Sequence, residues 1–220
     1  MCYKIRLLID TPKHKGNRKK LIEKLILKGI TDKKVLNAIY NIPRHFFIEK
    51  DFEDFAYDDK AFPISAKQTI SQPFTVAFQT EKLNIQEGEK VLEVGTGSGY
   101  QTAILIFLKA EVYSVERIFE LNRNSKKTLS KLSLKPKQII WSDGYLGLRE
   151  HAPFNKIIVT AGSKDIPSEL LNQLKIGGKM IIPIGELNQK MFLIKKTGEN
   201  DFEKTDLGSF RFVPMLKDRI

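Results

Sequence analysis

Cysteine is almost absent from this chain. Cys2 is the only one in 220 residues. That excludes an internal disulfide and a thiolate zinc cluster, and it makes a reducing cytoplasm the expected setting. Histidine is nearly as scarce: His14, His45 and His151 show no metal-ligand spacing, so no metal is expected. Long apolar runs are missing too. The longest, Ala103 to Leu108, stops at Lys109, against the roughly 20 residues that a membrane-crossing helix needs. Around Lys4 and Arg6 there is neither a long apolar core nor a small-residue cleavage site, so neither a signal peptide nor a membrane partner is expected. No internal repeat or low-complexity linker interrupts the chain.

What is present is ordinary for a globular protein: 41% hydrophobic and 29% charged residues. The length suits one domain, 1–220, with an N-terminal helical and irregular add-on at 1–72 and a core at 73–220. The net charge is +11, and it is unevenly spread. Residues 1–50 hold 13 Lys and Arg against 4 Asp and Glu, whereas 51–220 hold 24 against 22. Lysine outnumbers arginine 29 to 8, while bidentate recognition of bases and phosphates favours arginine. A lysine-rich solvated face is the preferred reading and a nucleic-acid partner is disfavoured.

Leu21, Ile22, Leu25, Ile26 and Ile30 recur at helical spacing after a polar, exposed stretch, Lys13 to Lys20. Whether Met1 to Asp10 is a strand or an ordered tail is not decided by the residues. Thr31 or Asp32 suits the N-cap of a second helix with an apolar face of Val35, Leu36, Ile39 and Tyr40, ended by Pro43. Residues 45–72 mix aromatics with acids and read as a partly covered irregular segment. A helix is expected from Phe74 to Leu83, with Pro73 in its first turn and Ser71 as a capping candidate. Strands are then expected at 90–94, 111–115, 137–141, 155–160 and 178–183, with helices at 100–109, 117–132 and 167–174. That alternation predicts an α/β fold: a doubly wound, mostly parallel seven-stranded sheet with helices on both faces. Met191 to Lys196 and Phe202 to Val213, joined by turn residues, add an antiparallel C-terminal hairpin.

In such sheets ligands bind beyond the carboxyl ends of the strands. Four candidates fall there: the turn Gly95-Thr96-Gly97-Ser98-Gly99, Glu116, Asp143-Gly144 and Thr160-Ala161-Gly162. Glu116 follows Gly95 by 21 residues, the spacing of an acid that accepts bonds from a ribose diol. A dinucleotide fingerprint would need a glycine at Tyr100, and the third glycine comes one place early, at Gly99. Glu93, two residues before Gly95, disfavours a pyrophosphate at the following helix and better suits a cofactor with a cationic end, such as S-adenosylmethionine. Trp141 at a strand end reads as core packing ahead of adenine stacking. His45 reads as packing or a local hydrogen bond.

The run Val91 to Tyr100 resembles the first motif of class I S-adenosylmethionine-dependent methyltransferases. Thr69-Ile70-Ser71-Gln72-Pro73, Val91 to Ala103, Ser114-Val115-Glu116-Arg117, Ala152-Pro153-Phe154, Ile181 to Gly185 and Arg211-Phe212-Val213-Pro214 together resemble the bacterial protein-L-isoaspartate O-methyltransferases. The Thr-Ile-Ser-Gln-Pro string is specific to that family and the glycine motif is not. The resemblance implies methyl transfer from S-adenosylmethionine, leaving S-adenosyl-L-homocysteine, to the free α-carboxylate of L-isoaspartyl residues in damaged proteins and peptides. D-Aspartyl residues are a further substrate class it implies. The ester then collapses to a succinimide that can reopen as aspartate, which is repair. By resemblance Ser71 is the active-site serine, and Glu93, Gly95, Gly97, Gly99, Glu116, Asp143 and Gly144 are cofactor positions. Thr69, Ile70, Gln72, Val213 and Pro214 border the substrate. A monomer is expected.

The chemistry of the residues agrees. A carboxylate with an ordinary pKa near ~4 is already a nucleophile at neutral pH, so no general base is required. Thr160-Ala161-Gly162-Ser163 stands where base-amine methyltransferases carry an Asp/Asn-Pro-Pro-aromatic string. One departure stands out. The family usually has Ile-Gly-x-Gly-Gln before the serine string, and this chain has Ile64-Ser65-Ala66-Lys67-Gln68, which stiffens the loop and brings in a cation. The competing reading is a methyltransferase-fold protein that binds S-adenosylmethionine and RNA through its basic N-terminal segment.

Overall fold

A computed structural model of the chain describes residues 9–220. The strand-or-tail question for residues 1–8 therefore lies outside the described residues. Helix α1, Pro12–Leu27, begins well before the apolar stripe that announces it. Thr11 caps it, its hydroxyl accepting from the His14 N–H at 3.2 Å, and Pro12 fits the first turn. The stretch Lys13 to Lys20 is thus helical, and apart from His14, Asn17 and Arg18 it is exposed as expected. His14 and Arg18 lie on the buried face with Leu21 and Leu25. Burying Arg18 is tolerable because its guanidinium meets both Asp10 carboxylate oxygens, at 2.9 and 2.8 Å, and the Tyr57 hydroxyl at 3.0 Å. A stripe half made of polar residues is invisible to a search for apolar spacing.

Helix α2, Lys33–Asn41, is capped by Asp32, whose carboxylate accepts from the N–H groups of Lys34 and Val35. Val35, Leu36, Ala38 and Ile39 face inward. Tyr40, expected on that face, is instead exposed, its ring 5.7 Å from the Arg18 guanidinium. The segment that follows is a chain of 3₁₀ turns and one small ribbon, β1 (Phe62–Pro63) antiparallel to β2 (Thr69–Ile70). Helix α3, Pro73–Leu83, comes next.

The core then alternates: β3 (Lys90–Val94), α4 (Tyr100–Phe107), β4 (Glu111–Glu116), α5 (Phe119–Lys131), β5 (Gln138–Trp141), β6 (Phe154–Val159), α6 (Ser168–Asn172) and β7 (Leu174–Ile184). The hairpin β8 (Gln189–Lys196) and β9 (Phe202–Phe210) closes one edge. The seven strands run in the order β5-β4-β3-β6-β7-β8-β9. Pairs from β5 to β7 are parallel, and β8 and β9 are antiparallel. This is the expected architecture.

Both sheet faces are covered, which is why the central strands read as continuous apolar runs. Leu92, Val94, Ile157 and Val159 pack on one side and Val91, Val112, Ile158 and Ile181 on the other. The N-terminal helices share an apolar cluster with α4 and α5, in which Leu21, Leu25 and Ile39 pack with Tyr100, Ile104 and Leu129. Arg44, fully buried, lies 5.1 Å from the Tyr100 ring, and burial lowers its pKa to about 10. Chain order reverses between β3 and β6, so a crevice opens beyond their carboxyl ends.

Candidate active site

The turn after β3 stands at that reversal. Gly95 has φ +97°, and a Cβ built there would collide with the Thr160 hydroxyl, so two independent constraints demand glycine. Thr160, at the end of β6, donates to the carbonyls of Gly95 and Val94 at 2.6 and 3.0 Å, tying the two strand ends together. Glu116 ends β4. Its Oε2 accepts from the Gly97 N–H at 2.8 Å and its Oε1 from the Ile118 N–H at 2.9 Å. Burial raises the Glu116 carboxyl above its ordinary value, against the pull of those N–H groups. Gly144, after β5, also has no room for a side chain: a Cβ would sit 2.5 Å from Val94 Cγ1 and 3.2 Å from Met215 Cε.

Glu93 lies beneath this turn and does not line the crevice. It is fully buried, and its Oε2 accepts from the hydroxyls of Thr102 and Ser114 at 2.5 and 2.7 Å. Its Oε1 is buried without a hydrogen-bond partner among the described residues. Burial pushes its carboxyl up to about 8, and the two hydroxyls pull the other way.

The opposite wall comes from the β1–β2 ribbon and the segment after β9. Ser71 follows β2 directly, and the N-cap of α3 is Gln72, which makes no capping bond through its side chain. The job of capping falls to Asp59, whose Oδ1 accepts from the Phe74 N–H at 2.8 Å. The Ser71 hydroxyl is left without a hydrogen bond among the described residues and faces the cleft. On the far side Gly162 donates to the Val213 carbonyl at 2.8 Å and accepts from the Met215 N–H at 2.7 Å, which sets Val213 and Pro214 on the rim.

These walls border one cleft. Of the residues picked out in the sequence, Thr69, Ile70, Ser71, Gly95, Gly97, Glu116, Gly144, Val213 and Pro214 line it. Gln72 does not, and Gly99 faces Leu129 and Ser125 behind the turn. Asp143 is spent on backbone: Oδ1 accepts from the Tyr145 N–H and Oδ2 from the Asp218 N–H. Residues not picked out include Gln68, Tyr100, Ile118, Leu121, Met215 and Leu216. Ile118 lies two residues past Glu116, which accepts from its N–H, so nearness in the chain could have found it. Gln68, beside the serine string, could have been reached in the same way.

None of the three histidines lines the cleft. The structure does bring Asp10, His14 and His45 together, with ligand-type atoms within 4.8 Å of one another, although sequence spacing gave no such cluster. They form an internal network: Asp10 holds Arg18, and the His45 nitrogens lie 2.6 Å from the Tyr57 hydroxyl and 3.2 Å from the Ile9 carbonyl. Burial lowers the His45 pKa to about 4. Trp141 sits outside the cleft, edge-on to Phe119.

The cradle fits a nucleoside cofactor. Two positions exclude any side chain, a buried acid oxygen lies unpaired under the turn, and a second carboxylate is fixed at the ribose-acid spacing. A family model described as protein-L-isoaspartate(D-aspartate) O-methyltransferase matches residues 16–219. A protein-L-isoaspartate O-methyltransferase of Christiangramia forsetii is 57% identical over 210 residues, covering 96% of this chain and 99% of that protein. A Plasmodium falciparum structure described as a protein-L-isoaspartate O-methyltransferase in complex with S-adenosyl-L-homocysteine has a TM-score of 0.81 at 29% identity, over 92% of this chain and 99% of that one. Another solved protein-L-isoaspartate O-methyltransferase has a TM-score of 0.81 at 30% identity over 90% of this chain, which spans 65% of that longer one. Fold, cleft and relatives agree, and this chain belongs to the protein-L-isoaspartate(D-aspartate) O-methyltransferase family.

Proposed function

We propose that this chain transfers a methyl group from S-adenosylmethionine to the free α-carboxylate of L-isoaspartyl residues, and of D-aspartyl residues, in damaged proteins and peptides. It is a repair methyltransferase. The observation that carries the reading is a single cleft bordered on one side by the glycine turn and Glu116 and on the other by Thr69-Ile70-Ser71 and Val213-Pro214.

When bound, S-adenosylmethionine supplies an electrophilic methyl group on a sulfonium. Gly95, Gly97 and Gly144 keep side chains out of its cradle. Glu116 accepts from the ribose hydroxyls through the lone pairs that the backbone leaves free. Glu93 supports the turn from below through Thr102 and Ser114. Ser71, relieved of capping duty by Asp59, donates its hydroxyl to the substrate carboxylate and orients one oxygen toward the methyl group. Thr69, Ile70, Val213 and Pro214 hold the peptide backbone on either side; Gln72, outside the cleft, takes no part. Removing a proton is no part of the task, since the acceptor is ionised at neutral pH.

Residues 1–220 act as one unit in this reading, with 1–72 as a helical add-on; the apolar cluster shared with α4 and α5 supports it. The chain works as a monomer in the cytoplasm, supported by a cleft built from one chain and by a single cysteine. A nucleic-acid partner is disfavoured because part of the N-terminal positive charge is paired internally: Lys13 with Asp54, Arg18 with Asp10 and Lys28 with Asp59. Among the described residues no helix is long and apolar enough to cross a membrane.

The test is methyl transfer from labelled S-adenosylmethionine to paired peptides that differ only in Asp against isoAsp. Base-labile label in the isoAsp peptide alone is expected. Label in RNA, or equal label in both peptides, overturns the reading.

A further inference from the structure

Residues 213–220 run from the end of β6 to the ends of β5 and β4, and β3 with its glycine turn lies between β6 and β4. The first half is anchored at Gly162, and Met215 is buried. The second half, 216–220, exposes its side chains and is held by hydrogen bonds. Arg117 donates from Nε to the Asp218 carbonyl at 2.9 Å and from Nη2 to the Lys217 carbonyl at 3.3 Å. Asp143 Oδ2 accepts from the Asp218 N–H at 2.9 Å. Ile220 donates to the Arg117 carbonyl at 2.8 Å and accepts from the Phe119 N–H at 2.7 Å. Val213 to Leu216 form one wall of the cleft, Glu116 and Arg117 also line it, and residues 217–220 lie beyond its lining.

We propose that residues 216–220 are a latch at the rim of the cofactor cleft, that Arg117 is the residue that positions it, and that its release sets the rate of cofactor exchange. The proposal rests on the cofactor reading given above. A segment held by polar ties without buried apolar side chains opens more readily than the core, so exchange need not disturb the sheet. Asp218 takes φ +61°, so the latched backbone also depends on one left-handed residue. The latch comes with its own reporter. Trp141, the only tryptophan, donates from Nε1 to the carbonyls of Arg117 and Ile220 at 2.9 and 3.1 Å, and the Arg219 guanidinium lies 4.7 Å from its ring.

Two full-length variants test it: Arg117→Gln, which removes the two-pronged tie, and Asp218→Pro on the exposed strand of the latch. Proline has no N–H for Asp143 and cannot take φ +61°. The parent and both variants are loaded with radiolabelled S-adenosyl-L-homocysteine and chased with unlabelled ligand, and Trp141 quenching by acrylamide is followed in the absence of cofactor. The expected result is release about tenfold faster in each variant, with greater quenching and an unchanged thermal midpoint for Asp218→Pro. Release within about twofold of the parent in Asp218→Pro overturns the latch, whatever the quenching shows. A parent that retains no S-adenosyl-L-homocysteine overturns the cofactor reading and the latch together. Should Arg117→Gln fail to fold, Asp218→Pro decides alone.

Discussion

Two loops face each other across the cleft, and both need left-handed backbone. The turn after β3 meets that need with Gly95, Gly97 and Gly99, at φ +97°, +54° and +88°. The loop between β1 and β2 meets it with Ala66 and Lys67, at +55° and +56°. The difference lies in what surrounds them. At Gly95 a side chain would strike Thr160, whereas Lys67 is exposed and its side chain has solvent to enter. Where a close approach is required glycine has no substitute. Where only the dihedral is unusual, another residue survives at a cost of about 1–2 kcal/mol. The cofactor side is therefore rigidly specified, and the substrate side carries strain that substitution can relieve.

The comparison breaks most sharply at Gly95. Gly95→Ala should destabilise the fold by roughly 2–4 kcal/mol in urea titration and weaken S-adenosyl-L-homocysteine binding by about 100-fold in calorimetry. Parental affinity would show that the turn can yield. Next is Ser71, which the strained loop delivers. Ser71→Ala should lower kcat about 100-fold, the scale of one lost transition-state donor, with cofactor affinity unchanged. Unchanged turnover would remove Ser71 from the chemistry.

Glu93, beneath the rigid turn, makes stability depend on pH. Its carboxyl titrates at about 8 when folded and near the ordinary 4.5 when unfolded. Between those values the folded state binds the extra proton, so stability falls as pH rises through the window and levels off above it. Glu93→Gln should abolish this slope, which reaches at most about 1.4 kcal/mol per pH unit. Urea unfolding at pH 5, 7 and 9 measures it, and parallel profiles would contradict it. The smallest effect belongs to Lys67→Gly, which should raise stability by about 1 kcal/mol, or roughly 2–4 °C in Tm. A lower Tm would mean that Lys67 makes a contact worth more than the strain it bears.

Much of the core was legible because its signals are local. Each strand of the parallel sheet is an apolar run ending in glycine, acid or threonine, and each crossover helix has its own stripe. The site was legible in the same way wherever a strand end carried its own chemistry, as at Gly95 and Glu116. The start of α1 was not, because Arg18 is buried on the strength of Asp10 and Tyr57, the latter 39 residues away. Nor was the freeing of Ser71, which depends on Asp59, 12 residues upstream, reaching Phe74 across an irregular loop.

By itself, then, the sequence determined the sheet, its order of strands and helices, and a glycine turn that admits a nucleoside, since each follows from spacing and from the steric properties of single residues. The tertiary structure alone decided which acid caps α3, what Asp143 and Arg117 hold, and that residues 213–216 line the cleft. Those outcomes depend on pairs up to 101 residues apart, such as Arg117 and Asp218, and no local pattern records such a partner.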